Sequence, residues 1–286
     1  MRQISNSMTI SLPRQAASGI YFQVLGPVTA KVGEEEIPLG PQQRALLAAL
    51  LVARGKMVPR KQLTETLWAE SDPSGRSITL RTHILHLRRL LEPHSRAASP
   101  YQIIVTSNIR HKGGYSIDVT SSDVDSVRFT DLLDRARRLA GDDRLDAAAA
   151  CLGEALDLWR GPAFADLAER NFVAGEARRL EELRRGAQER RVELLLALGR
   201  HRDAVPHLTA LLDEHRLNET HWGQFMLALY RSGRRAEALA AYRDVYTLLQ
   251  AELGMEPGPQ LRRLHQQVLS ADPALEVARH RAVFGS

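Results

Sequence analysis

Apolar positions along the chain change period three times, from alternating to helical, back to alternating, and then to helical up to the end. Residues 21–39 read as short strands: Tyr21-Phe22-Gln23-Val24-Leu25, then Val28 to Val32 beyond Gly26-Pro27. After a turn at Gly33, Ile37-Pro38-Leu39 reads as an edge-type strand, because proline cannot donate to a ladder. Pro41 opens a helix predicted over Gln42 to Arg54, with Leu46, Leu47, Leu50 and Leu51 on one face and Gly55 as its stop. A second helix is predicted from about Arg60 to Ala69, with Leu63, Leu67 and Trp68 inward, followed by the turn cluster Asp72-Pro73-Ser74-Gly75. A third, about Arg76 to Leu91, carries Leu80, Ile84, Leu87 and Leu91 as one narrow stripe and is closed by Glu92-Pro93. Tyr101 to Val105 and Tyr115 to Asp118 are β-type runs joined by a basic, glycine-containing loop, Arg110 to Gly114, and predict a hairpin.

From about Val124 the pattern is of paired helices divided by short glycine turns. Gly199 and Gly233, Ala204 and Ala238, and Leu208 and Tyr242 are each 34 residues apart, the tetratricopeptide period. In that repeat the glycine makes the turn and the alanine lets two helices approach. A looser copy is expected around Leu139-Ala140-Gly141 and Leu145 to Ala149. Gly254 is expected to stop one helix and Glu256-Pro257-Gly258-Pro259 to start the last. Trp159, Trp222, Tyr230 and Tyr242 read as core rather than as a ligand box, and the alternating Arg/Glu of Glu176 to Glu193 as a solvated face. The expected fold is therefore mainly α with a small β component.

Composition narrows the function. With 286 residues, 44% hydrophobic and 26% charged, the chain is of globular type and long enough for two domains. One cysteine, Cys151, excludes an internal disulfide framework and a cysteine-based zinc cluster. No apolar run approaches the roughly 20 residues that span a bilayer, so no membrane partner is expected, and the single cysteine makes a reducing cytoplasm the expected location. Net charge is +5, unevenly spread: residues 1–120 hold 15 Lys+Arg against 8 Asp+Glu, the remainder 24 against 26. The third helix has no acid, and neither has the stretch from Pro93 to Ile117. Such a local positive field suits nucleic acid, as it also suits a plain solvated face.

If the apolar stripe of the third helix faces inward, a wheel at ~100° per residue turns Thr79, Thr82, His86 and Arg89 outward, flanked by Arg81 and Arg88. His83 and His86 lie one helical turn apart, but no acid or cysteine nearby completes a ligand set, so no metal is expected. No P-loop motif is present, and no nucleophile–base–oxyanion constellation, so neither a catalytic residue nor a cofactor is expected.

Strands, three helices and a hairpin in this order resemble the OmpR/PhoB-type winged helix-turn-helix. The resemblance is carried by Gln42 to Leu47, Leu63 to Trp68, Leu80 to Leu91 and Gly113-Gly114-Tyr115. It implies that Arg81, Thr82 and His86 lie nearest the bases of double-stranded DNA and that Thr79, His83 and Arg89 fall closer to phosphates, with Arg76 and the flanking Arg88 also among the DNA-binding residues. Arg110, His111 and Lys112 at the hairpin tip are expected against the backbone or minor groove. Ile78 and Leu85 depart from that pattern, since many relatives carry polar or basic residues there, and two readings stay open: contact with thymine methyls, or packing elsewhere.

Both parts together resemble the Streptomyces antibiotic regulatory proteins, whose second part is the bacterial transcriptional activation domain. The segments concerned are Ala155 to Phe164, Arg178 to Arg184, Met226 to Arg234 and Glu252 to Pro259. The resemblance implies an activator that binds direct repeats in promoter DNA as a head-to-tail dimer and recruits RNA polymerase holoenzyme, for an antibiotic gene cluster. The larger relatives append an ATPase domain, which is not expected here, and neither is a phosphorylated receiver domain. The expected organisation is a flexible tail (1–19), a winged-helix domain (20–120), a tetratricopeptide-like activation domain (121–272) and a C-terminal tail (273–286). Since the acidic balance of the second half disfavours its own DNA contact, a fragment ending near Asp123 is expected still to bind DNA, if less tightly, without activating. A protein-interaction scaffold or sensor, and a repressor with the same DNA-binding domain, stay open as alternatives.

Overall fold

The structure, a computed structural model, describes residues 19–67, 76–93, 102–109, 112–118 and 123–275. Two compact units emerge. One comprises the chain up to Arg128 together with Trp159–Arg178; the other comprises Phe129–Leu158 and the chain from Arg179 onward.

The first unit opens with an antiparallel sheet of β1 (Ile20–Gln23), β2 (Thr29–Val32) and β3 (Glu35–Glu36), in that order. Ile20, Phe22 and Ala30 are buried while Gln23 and Lys31 are not, so alternation sets the register Phe22↔Ala30. The third strand falls at Glu35–Glu36 rather than at Ile37–Leu39, because only Ile37 continues the pairing, donating its N–H to Ala30 O at 2.8 Å. Helix α1 (Pro41–Val52) begins on proline and stops sooner than expected. Arg54 (φ 49°) and Gly55 (φ 76°) are both left-handed and turn the chain away.

A two-residue strand β4 (Val58–Pro59) precedes α2 (Arg60–Leu67) and α3 (Arg76–Leu91). The hairpin follows, β5 (Ile104–Ile109) and β6 (Lys112–Ile117), giving a second sheet of order β4-β6-β5. Its strands run further toward the tip than composition suggests. Gly113 and Gly114 pair with Asn108 and Ser107, and Gly114 also faces Pro59. A Cβ on Gly114 would meet Val58 O at 2.5 Å, so this glycine serves close packing of β4 on β6 rather than a turn. Trp68 lies outside the described residues.

Two further segments complete this unit: the start of α4 (Asp125–Gly141), and the loop before α6 (Asn171–Ala197) with its 3-10 turn at Ala165–Leu167. Val124 adds a parallel bridge to Phe22.

The second unit is all helical, with α4, α5 (Leu145–Leu156), α6, α7 (His201–Glu214), α8 (Glu219–Arg231), α9 (Arg235–Leu253) and α10 (Pro259–Ser270). The 34-residue repeat is visible in its hydrogen bonds. Arg200 N donates to Leu195 O at 2.8 Å, and Arg234 N to Leu229 O at 2.9 Å. Each bond closes a turn whose glycine is left-handed, Gly199 at φ 72° and Gly233 at φ 81°. The looser copy has the same lock, Arg144 N to Leu139 O at 2.9 Å, with Asp143 (φ 56°) in the glycine's place. Ala148, Ala204 and Ala238 follow at the same offset, all 0% exposed. The interval from Ala148 to Ala204 is longer than 34 because α6, with 27 residues, is longer than its counterpart α8, with 13, and because a longer segment joins α5 to α6 than joins α7 to α8. Leu208, Leu211, Met226, Leu229, Val245, Leu261 and Val268 form the core, with Trp222, Tyr230 and Tyr242 packed against it. Pro273–Leu275, expected within the tail, is a docked 3-10 turn: Leu275 is buried and its carbonyl accepts from Arg231 Nε at 2.9 Å.

Candidate nucleic-acid interface

Helix α3 divides cleanly. Leu80, Ile84, Leu87 and Leu91 are all at most 1% exposed and pack toward α1 and α2. Arg81, Thr82, Leu85, His86 and Arg89 are exposed on the opposite side, and His83 is half-buried. Burial, and then the neighbouring His86 ring, hold His83 below the usual imidazole value, so it faces neutral pH uncharged. Leu85 is 39% exposed and stands apart from the buried apolar stripe of α3.

Arg88 takes a different direction from its neighbours. Its Nε and Nη2 both donate to Ile104 O (3.0 and 2.7 Å), Nη2 also reaches Thr106 Oγ1 at 2.8 Å, and the guanidinium lies 5.9 Å from the Tyr115 ring. Arg60 approaches the same ring at 5.7 Å. Tyr115 is 4% exposed, so these arginines tie the start of α2 and the end of α3 to the hairpin. Gln43 of α1, only 8% exposed, brings its Nε2 to 3.2 Å from His86 Nδ1. Gln43 lies in the segment that carries the winged-helix resemblance, but nothing in the pattern pairs it with His86, since a polar residue in the first helical turn is ordinary.

Arg76 and Thr79 fall in α3, and Lys112 opens β6, but their side chains lie outside the described residues. Arg110 and His111 lie outside them altogether.

The unit that holds α3 is braced by residues far along the chain. Asp125, 1% exposed, accepts from Val24 N (2.8 and 2.9 Å) and Leu25 N (3.0 Å), with Arg160 Nη2 at 3.9 Å. Burial pushes its carboxyl up to about 6, against the pull of these amides and of Arg160. Arg160, Phe164 and Ala165 donate backbone N–H groups to Leu25, Val24 and Gly26 carbonyls at 2.8, 2.9 and 3.1 Å. Asp166 accepts from Val28 N at 2.8 Å and pairs with Arg44 of α1 at 3.3 Å. Phe164, Ala163, Leu167 and Val173 are buried. So the Trp159-to-Phe164 segment completes the backbone hydrogen bonding of the loop between β1 and β2. The segment carries the family resemblance, but nothing in its pattern of residues tells that it meets the β1–β2 loop.

Among the described residues no group of three or more histidine, cysteine or acidic side chains could hold a metal ion. No described helix is long and apolar enough to cross a membrane.

Comparison with known proteins agrees with this architecture. Residues 33–116 match the family described as transcriptional regulatory protein, C terminal, and residues 124–269 match the bacterial transcriptional activator domain. Regulatory protein DnrI of Streptomyces peucetius is 36% identical over 90% of this chain and 94% of its own length. Regulatory protein AfsR of Streptomyces griseus is 38% identical over 96% of this chain, which spans 27% of AfsR. The solved structure of Mycobacterium tuberculosis EmbR in complex with a low affinity phosphopeptide has a TM-score of 0.74 at 32% identity, over 91% of this chain and 68% of that one. The winged helix, the tetratricopeptide-like helices and these relatives agree, and the chain belongs to the Streptomyces antibiotic regulatory protein family of transcriptional regulators.

Proposed function

We propose that this regulator is an activator that sets α3 into the major groove of promoter DNA, with the β5–β6 hairpin against the backbone. The observation that carries the reading is the division of α3. Its apolar stripe is wholly buried, and its exposed face presents Arg81, Thr82, Leu85, His86 and Arg89 with no acid among them. A helix fits the major groove, where each base pair presents a distinct donor and acceptor pattern. Arg81, Thr82 and His86 are assigned to bases. Thr79, His83 and Arg89, with Arg76, lie toward phosphates, as do Arg110, His111 and Lys112 of the hairpin. Arg88, engaged with Ile104 and Tyr115, holds the hairpin to α3 and adds positive charge nearby.

Residues 124–269 contact RNA polymerase holoenzyme in this reading, consistent with the activator-domain family they match. Copies bind head to tail on direct repeats about 10–11 bp apart, one helical turn, so that neighbouring recognition helices enter the groove on the same side. The targets are promoters of an antibiotic gene cluster, and the protein works in the cytoplasm, on the nucleoid. The test is binding to direct-repeat DNA, followed by transcription with purified polymerase. Inserting ~5 bp, half a turn, should abolish cooperative binding. Equal affinity at all spacings, or a preference for inverted repeats, would refute head-to-tail assembly, and lowered transcription would make the protein a repressor.

A further inference from the structure

Gln43 is a buried polar side chain whose amide nitrogen faces the ring of an exposed histidine. The amide nitrogen carries only donors, so at 3.2 Å it requires His86 Nδ1 to accept. The amide orientation follows from its surroundings. Oε1 lies against Gly40, the N-cap of α1, so close that a Cβ there would meet it at 2.6 Å. That end of α1 has no side-chain cap, and its N–H groups and dipole favour an oxygen over an amino group. With Nδ1 accepting, the proton of the neutral ring resides on Nε2, the nitrogen directed away from Gln43.

We propose that Gln43 is a positioning residue that holds His86 in its Nε2–H form, making it a hydrogen-bond donor that selects guanine at the operator base it faces. Guanine offers two adjacent acceptors, N7 and O6, in the major groove; adenine sets a donor amino group beside its N7, thymine a methyl beside its O4, and cytosine offers only the N4 amino donor, so a lone donor is best met by guanine. This inference rests on α3 being the base-reading helix. A residue that merely props α3 against α1 would alter stability and affinity for every sequence, without reversing a base preference.

The test uses the full chain. In 15N spectra of the free protein, at a pH where the ring is neutral by its own shifts, His86 should show a bare Nδ1 and a protonated Nε2. Gln43→Glu supplies an acceptor in place of the donor and should move the proton to Nδ1. Selection from a randomised operator should then show that wild type prefers guanine at one position, that His86→Ala loses the preference, and that Gln43→Glu turns it toward cytosine or adenine. Gln43→Met, which keeps bulk without a hydrogen bond, should flatten that position and weaken specific binding roughly two- to tenfold, the cost of ordering one side chain on binding. A protonated Nδ1 in wild type overturns the proposal without any DNA measurement. So does an unchanged base profile in Gln43→Glu or Gln43→Met when His86→Ala changes it. If His86→Ala changes no position, the assignment of His86 to a base is what fails, whatever the spectra show.

Discussion

Replacing Phe164 tests whether residues matched by the activator-domain family stabilise the unit that carries α3. Phe164 is 1% exposed, and its N–H donates to Val24 O at 2.9 Å. Phe164→Ala removes a buried aromatic ring, a change that costs about 3–5 kcal/mol. At roughly 1.4 kcal/mol per tenfold, opening of this unit should become about two to three and a half orders of magnitude more frequent. Backbone strain adds a second signature. Phe164 has φ 54°, a left-handed conformation that costs a non-glycine residue about 1–2 kcal/mol. Alanine keeps that strain and glycine relieves it, so Phe164→Gly should be as stable as Phe164→Ala or up to about 1 kcal/mol better. Amide hydrogen exchange at Val24, Leu25 and Val28 is the assay, because these N–H groups donate to Asp125 and Asp166 in the same unit. Unchanged protection there, with loss confined to residues 179–275, would refute the reasoning. The same geometry revises the expectation for a fragment ending near Asp123. Such a fragment lacks Asp125, Asp166 and Phe164, leaves the Val24, Leu25 and Val28 amides without their acceptors, and should fold poorly and bind DNA weakly.

Asp125 carries a pH signature. Its folded pKa of about 6 lies above the unfolded value of 3.8, so the stability it contributes is full below about pH 4 and lost as pH rises through 6. Relative to wild type, Asp125→Asn should therefore gain about 2–3 kcal/mol between pH 4 and 7, at 1.36 kcal/mol per unit. A difference in denaturant midpoint that does not vary with pH would contradict this. Leu85 should read a thymine methyl: replacing the facing thymine by uracil should weaken binding severalfold in wild type, by roughly the 0.8 kcal/mol of one buried methyl-sized group or more. The same replacement should do nothing in Leu85→Ala, and equal losses in both proteins would remove Leu85 from the interface. Ala238→Leu, at a 0% exposed helix contact, should cost about 1–3 kcal/mol by overpacking, read by thermal unfolding, and a neutral result would mean the helices are not in close contact there. Cys151 is buried, its Sγ directed to Leu132 O at 3.3 Å and its pKa raised by burial, so native protein should resist a thiol reagent that labels unfolded protein at once.

By itself the sequence determined what repeats or alternates. The buried stripe of α3, the strands at Phe22 and Ala30, the glycine turns at 199 and 233 and the alanines after them all follow from period, and period expresses local geometry. The third strand and the end of α1 lie a few residues from where the pattern puts them, because pairing to Ala30 and two consecutive left-handed residues decide them. Tertiary structure alone decided the rest. Arg88 and Arg89 are adjacent and chemically identical, yet Arg88 meets the Ile104 carbonyl and the Tyr115 ring while Arg89 is exposed. Asp125 and Phe164 reach the β1–β2 loop across separations of about 100 and 140 residues, and Gln43 reaches His86 from another helix. Such contacts leave no period behind them. They satisfy single buried donors and acceptors, and which group satisfies which is settled only when distant segments fold together.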